Sequence, residues 1–115
     1  MDHPENGIIY IELPGQDLTA LKAFYQKAFD WTFTDYGPDY TCFSAGAIAG
    51  GFTRAEPVVA GGALVVLFSS DLEARLDRVL KAGGKLVKEI FPYPGGRRFH
   101  FADPSGNVLA VCTES

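Results

Sequence analysis

Apolar residues along the chain follow two spacings, one typical of strands and one typical of helices. Residues 8–13 are mostly β-branched or aromatic and end at Pro14-Gly15, which predicts a strand. In residues 17–29 the apolar positions recur at helical spacing behind Asp17, a side chain favoured as a helix N-cap. Three further strands are predicted at 31–34, 40–44 and 47–52.

The same order of elements returns in the second half of the chain. A buried strand is predicted at 63–68, and Asp71 is predicted to cap a second helix that ends at Gly83-Gly84. The apolar face of this helix consists of Leu72, Leu76, Val79 and Leu80. Three more strands are predicted at 85–91, 97–102 and 107–113. Asp17 and Asp71 lie 54 residues apart, so the chain is predicted to be a tandem repeat.

We therefore predict an α+β fold built from two tandem βαβββ modules. The domain spans residues 1–115, with module one at about 7–53, a linker at about 54–62 and module two at about 63–115. A chain of this length buries about two-thirds of its unfolded surface when it folds alone. A homodimer interface would add to that marginal core, and we expect one.

Charge and composition exclude several classes of partner. The chain has 14 acidic and 10 basic side chains, and Arg97-Arg98 is its one adjacent basic pair, which argues against nucleic-acid binding. No apolar run approaches the ~20 residues that a membrane span needs. The polar, acidic segment 1–6 does not resemble a signal peptide. We therefore expect a cytoplasmic protein with no membrane partner.

The cysteine and histidine content argues against zinc. Cys42 and Cys112 each lie in an apolar, strand-like run, and we interpret them as free buried thiols of a reducing compartment. His3 and His100 are the only histidines, and neither a Cys-x-x-Cys nor a His-x-x-x-His motif is present.

Two short motifs lie at characteristic places in the modules. Phe24-Tyr25 falls late in the first predicted helix, and residues 103–107 (Asp-Pro-Ser-Gly-Asn) precede the last strand. Together with Ile-Glu-Leu-Pro at 11–14, Asp71-Leu72 and Gly83-Gly84, they make the chain resemble the vicinal oxygen chelate superfamily. This superfamily includes glyoxalase I, bleomycin-resistance proteins and extradiol dioxygenases. The resemblance implies a mixed sheet curled around a concave cavity, with the helices on its convex side.

In active members, the resemblance implies one divalent metal that acts as a Lewis acid. It also implies His or Glu ligands on the first, fourth, fifth and eighth strands. The matching positions here are Tyr10, a residue within 47–51, Leu64 or Val65, and Ala110. A phenol is an uncommon ligand for nickel, zinc or manganese, and the other residues have no donor side chain. We therefore expect no metal and no other cofactor, with a divalent metal as the alternative.

The favoured function is metal-free binding of a small organic ligand, similar to that of the bleomycin-resistance branch. If Phe99 and Phe101 pack toward the helices, strand alternation turns Arg98 and His100 toward the cavity. The predicted ligand-binding residues are Tyr10, Glu12, Tyr40, Arg98, His100 and Cys112, with Trp31, Phe33, Phe52 and Tyr93 near the rims. Core packing is predicted for Phe24, Phe29, Phe68 and Phe101. Residues 91–97 are a candidate lid, or else a plain turn.

The alternative is a glyoxalase- or dioxygenase-type enzyme with lyase or isomerase chemistry. It would use a divalent metal, or acid–base catalysis by Glu12 and His100. His100 is the one predicted cavity residue that titrates near neutral pH, and Tyr10 or Arg98 could polarise a carbonyl group. Close approach of Glu12 to His100 would favour this alternative. A second possible metal site consists of Glu12, His100 and Cys112, although a solvated His, an edge Glu and a buried thiol explain the same residues.

Overall fold

Each half of the chain folds into four strands and one helix, in the predicted order. The structure is a computed structural model that describes residues 5–6, 8–59 and 61–114. The first half contains β1 (Tyr10–Pro14), α1 (Leu18–Phe29), β2 (Thr32–Asp35), β3 (Tyr40–Ala45) and β4 (Ile48–Thr53). The second half contains β5 (Val66–Phe68), α2 (Leu72–Lys81), β6 (Lys85–Tyr93), β7 (Gly96–Ala102) and β8 (Val108–Thr113).

The eight strands form two separate mixed sheets with the same topology. Their strand orders are β1-β4-β3-β2 and β5-β8-β7-β6. The β1–β4 and β5–β8 pairs are parallel, and the other pairs are antiparallel. No strand pairing joins the two sheets within the described part of the chain. The α+β fold of tandem βαβββ modules is confirmed, but the curled sheet is divided into two.

Both helices begin at the predicted caps. The carboxylate of Asp17 accepts a hydrogen bond from the Ala20 amide at 3.0 Å, and that of Asp71 accepts one from Ala74 at 3.1 Å. These bonds satisfy amides that the first helical turn leaves without partners. The prediction for the apolar face of α2 is wrong at Leu80, which is 45 % exposed because it lies beside the face that Leu72 and Val79 bury.

An aromatic core fills the space between the helices and the two sheets. Tyr25 of α1 stacks on Trp31 with ring centroids 4.5 Å apart and packs against Phe52. Phe24 packs against Phe101 of the second sheet at 5.8 Å. The expectation that Phe52 lies near a cavity rim is therefore wrong, whereas Trp31 packs in this core and also lines an apolar cavity beside β1 and β5. Trp31 follows the end of α1 directly, and Phe52 is on the helix-facing side of β4.

The prediction that Phe68 packs in the core is also wrong. Its side chain is 62 % exposed, whereas Phe24 and Phe101 are fully buried as predicted and Phe29 packs partly buried against the core. Strand β5 covers only residues 66–68 rather than 63–68, and Phe68 pairs in register with Cys112. It therefore shares the face of the sheet that the helices do not cover.

The turn before β8 ties the two halves together. Asp103 accepts a 2.9 Å hydrogen bond from the Tyr25 hydroxyl, and the Asn107 amide donates a 2.7 Å bond to the Pro14 carbonyl. Burial raises the pKa of Asp103, while its bonds from Tyr25 and Asn107 oppose that change. Burial and the charge of Asp103 hold the pKa of the Tyr25 phenol well above its usual range. The Phe24-Tyr25 and Asp103–Asn107 motifs therefore stabilise the fold.

The candidate lid is the tip of a β-hairpin. Strand β6 runs to Tyr93 and β7 starts at Gly96, with Tyr93 paired in register to Gly96. Register shifts on either side of Lys88 interrupt the β6–β7 pairing. Within the described residues, neither helix has the length and apolar character required to cross a bilayer.

Candidate ligand-binding site

The side of each sheet that is turned away from the helices carries the predicted ligand-binding residues; we call it the open face. In the first sheet, Phe43 and Phe52 belong to the core. Because side chains alternate along a strand, their neighbours Cys42 and Gly51 lie on the open face. Strand pairing sets Glu12, Gly51, Cys42 and Thr34 in one row across this face.

The open face of the second sheet is organised in the same way. Phe99 and Phe101 are fully buried in the core, so Arg98 and His100 lie on the open face, in the orientation that alternation predicts. One row across the sheet consists of Phe68, Cys112, Arg98 and Phe91. The next row consists of Val66, Ala110, His100 and Lys88.

Three polar side chains on the first open face form a group, which we call the tyrosine cluster: Tyr10, Tyr40 and Cys42. The two phenol oxygens lie 2.5 Å apart, and the Tyr10 oxygen lies 3.4 Å from the Cys42 sulfur. Burial, followed by the contacts with Cys42 and Tyr40, raises the pKa of Tyr10 far above its ordinary value. Burial also raises the pKa of Tyr40, and the charge of nearby Glu12 adds to that effect.

Gly51 makes room for the tyrosine cluster. A Cβ atom at this position would lie 2.5 Å from the Tyr40 oxygen and 2.7 Å from the Tyr10 oxygen, closer than side-chain carbons approach other atoms. The space beside Gly51 is therefore occupied by the two phenols. A longer side chain at this position would have to displace them.

The second open face carries three basic side chains, Lys88, Arg98 and His100, which we call the cationic cluster after the permanent charges of the first two. The Lys88 ammonium lies 4.0 Å from the centre of the Phe91 ring, and the Arg98 guanidinium lies 5.4 Å from the same ring and 4.8 Å from that of Tyr93. Partial burial, together with the charges of Arg98 and Lys88, lowers the pKa of His100. The imidazole is therefore mostly neutral at pH 7.

Two polar atoms of the cationic cluster have no partner. Arg98 Nε and His100 Nε2 are buried, and neither forms a hydrogen bond within the described part of the chain. Buried donors and acceptors are nearly always paired in folded proteins. Such an exception marks a place where a further group can bind.

Both cysteines are free thiols, as predicted, but they are half-buried rather than buried. Cys42 contacts Tyr10, and Cys112 contacts Tyr93. The contact with Cys112 is the main reason that the pKa of Tyr93 is raised. Each thiol therefore lies beside a phenol on an open face.

The residues at the positions implied for metal ligands do not fit a divalent metal. Gly51 occupies the place in the first sheet that Ala110 occupies in the second, and neither has a donor side chain. Leu64, which corresponds to Tyr10 in the repeat, is apolar. The phenol of Tyr10 is bonded to Tyr40 instead. Among the described residues, no three His, Cys, Asp or Glu side chains are close enough to hold a metal ion; His3 lies outside those residues.

The six predicted ligand-binding residues thus fall into two groups within one chain. Tyr10, Glu12 and Tyr40 lie on the first sheet, and Arg98, His100 and Cys112 lie on the second. Glu12 and His100 share no hydrogen bond in the described structure. Glu12 interacts with Tyr40 on the first sheet, and His100 lies beside Arg98 and Lys88 on the second.

Sequence reasoning missed Gly51 and Lys88. A glycine in a strand signals a close approach by another group, but Gly50-Gly51 did not indicate which group approaches. Lys88 was missed because the register shifts in β6 break the simple alternation that would have placed it.

A further cavity lies elsewhere, beside the edge strands β1 and β5. Its volume is about 860 Å³, and its lining is mostly apolar. The lining includes Ile8, Ile11, Ile48, Leu64, Val66 and Phe68. None of the six predicted ligand-binding residues contributes to it.

Comparison with known proteins places this chain in a family. Residues 7–111 match the model of the Glyoxalase/Bleomycin resistance protein/Dioxygenase superfamily. A glyoxylase-like domain-containing protein from Didymella fabae is 30 % identical, with 90 % of each chain covered. The chain therefore belongs to this superfamily, as its resemblance to the vicinal oxygen chelate proteins predicted.

Solved structures share the fold at low identity. A glyoxalase/bleomycin resistance protein/dioxygenase family enzyme from Burkholderia phytofirmans PsJN superposes with a TM-score of 0.80 at 18 % identity, covering 92 % of this chain and 97 % of that one. TnmS3, an antibiotic binding protein from Streptomyces sp. CB03234, gives 0.76 at 19 % identity, with 95 % and 96 % covered. One fold thus serves an enzyme and a binding protein, so function has to be argued from the site.

Proposed function

We propose that this protein binds a small organic ligand on its open faces and uses no metal or other cofactor to do so. The observation that carries the proposal is the occupied corner beside Gly51, where the Tyr10–Tyr40 pair fills the space next to a position implied for a metal ligand. On the first sheet, aromatic and polar side chains surround this corner. On the second sheet, aromatic side chains lie beside the unpartnered Arg98 and His100 atoms. Such a mixture of apolar surface with a few polar groups is typical of small-molecule sites.

Acid–base catalysis by Glu12 and His100 is not part of the proposal. A general base and its partner must lie within hydrogen-bond reach of the reacting group, directly or through one water. These two side chains are on different sheets of the same chain. The low pKa of His100 follows from its burial and from two neighbouring cations, so it needs no catalytic explanation.

A ligand screen in the presence of a chelator tests the proposal. The full-length protein is screened by thermal shift against aromatic acids, aromatic amines and neutral aromatic compounds, all in EDTA. We expect at least one class to raise the melting temperature and to shift backbone amide resonances on an open face. Binding that requires a divalent metal, or no binding by any class, would contradict the proposal.

A pair of tyrosine variants provides the matched control for that screen. Tyr40→Phe removes one hydroxyl from the tyrosine cluster, whereas Tyr36→Phe removes an exposed hydroxyl from the turn beside it. For a ligand that perturbs the first open face, we expect Tyr40→Phe to weaken binding and Tyr36→Phe to leave it unchanged. Equal effects of the two variants would place the ligand away from this cluster.

We further propose that two copies associate, in the cytoplasm, through the edge of strand β1. Ile8 is 73 % exposed beside this edge, and Ile11 and Ile48 line the apolar cavity next to it. Exposed apolar surface of this extent is uncommon on a monomer, and unpaired strand edges favour association. The half-buried free thiols of Cys42 and Cys112 fit a reducing compartment.

Light scattering coupled to size-exclusion chromatography tests the association. We expect a mass of two chains for the native protein and of one chain for Ile8→Asp, because the substitution puts a charge on the apolar edge. A native mass of one chain at micromolar concentration would contradict the association and leave the ligand proposal standing.

A further inference from the structure

The cationic cluster is not neutralised by the protein itself. Lys88, Arg98 and His100 form no ion pair within 4.0 Å among the described residues. The adjacent Arg97 behaves differently, because alternation turns it to the other face of β7, where it pairs with Glu73 at 2.6 Å. The open face of the second sheet therefore presents positive charge without an internal counter-ion.

The unpartnered atoms determine which hydrogen-bonding groups a counter-ion must have. Arg98 Nε can only donate a hydrogen bond, so its missing partner is an acceptor. His100 is two residues further along the same strand and face, which puts its Cα roughly 6.6 Å away. The oxygens of one carboxylate can reach toward both side chains across that distance. A bond from an arginine to a carboxylate is also stronger than a bond between neutral groups.

Apolar surface continues from the cationic cluster in one direction. Across the sheet from Arg98, the same row contains Cys112 and then Phe68, whose ring is 62 % exposed. Next to this row, Ala110 and then the half-exposed Val66 follow His100. Neighbouring strands are about 4.8 Å apart, so about 10 Å separates β5 from β7. The small side chains of β8 form the floor of a shallow trough between them.

We propose that this open face binds a flat organic anion of the bicyclic aromatic carboxylate type. The carboxylate would bind Arg98 and His100, and the rings would lie over Ala110 toward Phe68. The inference rests on the proposed function and names its ligand class. Phe91 and Tyr93 pack against the Arg98 guanidinium and shield part of it from water, and a charged contact is stronger where water is excluded.

The test uses 2-naphthoate with the full-length protein in EDTA. Two comparison probes separate charge from shape: 2-naphthalenemethanol has the rings without the charge, and inorganic phosphate has the charge without the rings. Isothermal titration calorimetry and amide chemical shifts measure affinity and location. We expect 2-naphthoate to bind about tenfold more tightly than either comparison probe and to shift resonances of β7 and β8.

Matched variants test the assigned residues. Arg98→Gln should weaken 2-naphthoate about tenfold, whereas Arg97→Gln removes the same charge from the opposite face and should change affinity less than about twofold. Phe68→Ala should weaken the aromatic acid and leave phosphate binding unchanged. Arg98→Lys keeps the charge but lacks the planar guanidinium, so it should also weaken binding. This variant replaces Arg98→Gln in the test if Arg98→Gln does not fold.

The inference is wrong if 2-naphthoate binds no better than the neutral alcohol, or if Arg97→Gln and Arg98→Gln weaken it equally. It is also wrong if 2-naphthoate does not bind. In each of these cases a neutral or cationic aromatic compound can still bind an open face in the wider screen, which would preserve the proposed function. Loss of all ligand binding in that screen would overturn both.

Discussion

Replacing Gly51 with alanine tests whether the corner beside it is filled by the tyrosine cluster. The added Cβ would lie 2.5 Å from the Tyr40 oxygen and 2.7 Å from the Tyr10 oxygen. Ordinary contacts begin near 3.4 Å, so the Tyr40 ring must retreat by roughly 1 Å. That movement breaks the 2.5 Å contact between the two phenols or strains it severely.

The expected cost follows from three contributions. Loss of one hydrogen bond at a partly exposed site costs about 0.5–1 kcal/mol, and local overpacking costs about 1 kcal/mol. Alanine restricts the unfolded chain more than glycine does, and this offsets about 0.5 kcal/mol of the cost because Gly51 has a backbone conformation that alanine can adopt. We therefore expect Gly51→Ala to lower the free energy of unfolding by about 1–1.5 kcal/mol.

Urea denaturation measures this change, and Gly50→Ala provides a contrast. A Cβ at Gly50 would overlap the backbone oxygen of Ile11, which cannot move aside as a phenol can. The cost there should be about 3 kcal/mol or more. If Gly51→Ala is as stable as the native protein and the Tyr10 and Tyr40 ring resonances do not change, the corner is not filled as described.

Two further predictions concern the hydrogen bond from Tyr25 to Asp103, which joins the halves, and the cationic cluster. Tyr25→Phe should lower the free energy of unfolding in urea by about 1–2 kcal/mol, because buried Asp103 loses a donor, whereas Tyr36→Phe should change it little. Equal effects of the two variants would refute the role of this hydrogen bond. Affinity for 2-naphthoate should rise as the pH falls from about 8 to about 6, because a bound anion favours protonated His100. Burial and the neighbouring cations lower the pKa of His100 in the free protein. Calorimetry should detect proton uptake on binding, and the same dependence of affinity on pH in His100→Gln would refute this prediction.

Local signals in the sequence were sufficient for the elements of the fold. Asp17 and Asp71 identified both helix starts because an N-cap depends on atoms only three residues away. The 54-residue spacing identified the repeat for the same reason, since each module carries its own signals. Leu80 shows the limit of this approach, because periodicity gives the helix but not the width of the face that the sheet covers.

The core assignments failed where burial depends on geometry that apolar spacing does not describe. Trp31 and Tyr25 stack because α1 ends between them, which depends on the αL conformation of Asp30 at the helix C-terminus. Phe68 lies in an apolar run that predicts burial, but β5 is an edge strand and its outward face has no layer above it. Apolar patterning cannot distinguish an edge strand from a central one.

The sequence predicted which site residues share a face of a sheet, but it did not predict which of their side chains are in contact. Alternation placed Arg98 and His100 together, and it put Tyr10 and Glu12 on one face of β1. The bond between Tyr10 and Tyr40 joins residues 30 positions apart, and it depends on the parallel β1–β4 pairing together with the space beside Gly51. No local pattern encodes that combination.

Metal content per chain tests the central claim most directly. The protein is purified without chelator, dialysed and analysed by mass spectrometry for first-row transition metals, magnesium and calcium. The account predicts well below one equivalent of every metal, because Gly51, Leu64 and Ala110 provide no donor side chains. One tightly held metal ion per chain would contradict it and would make Glu12 and His100 the first residues to substitute.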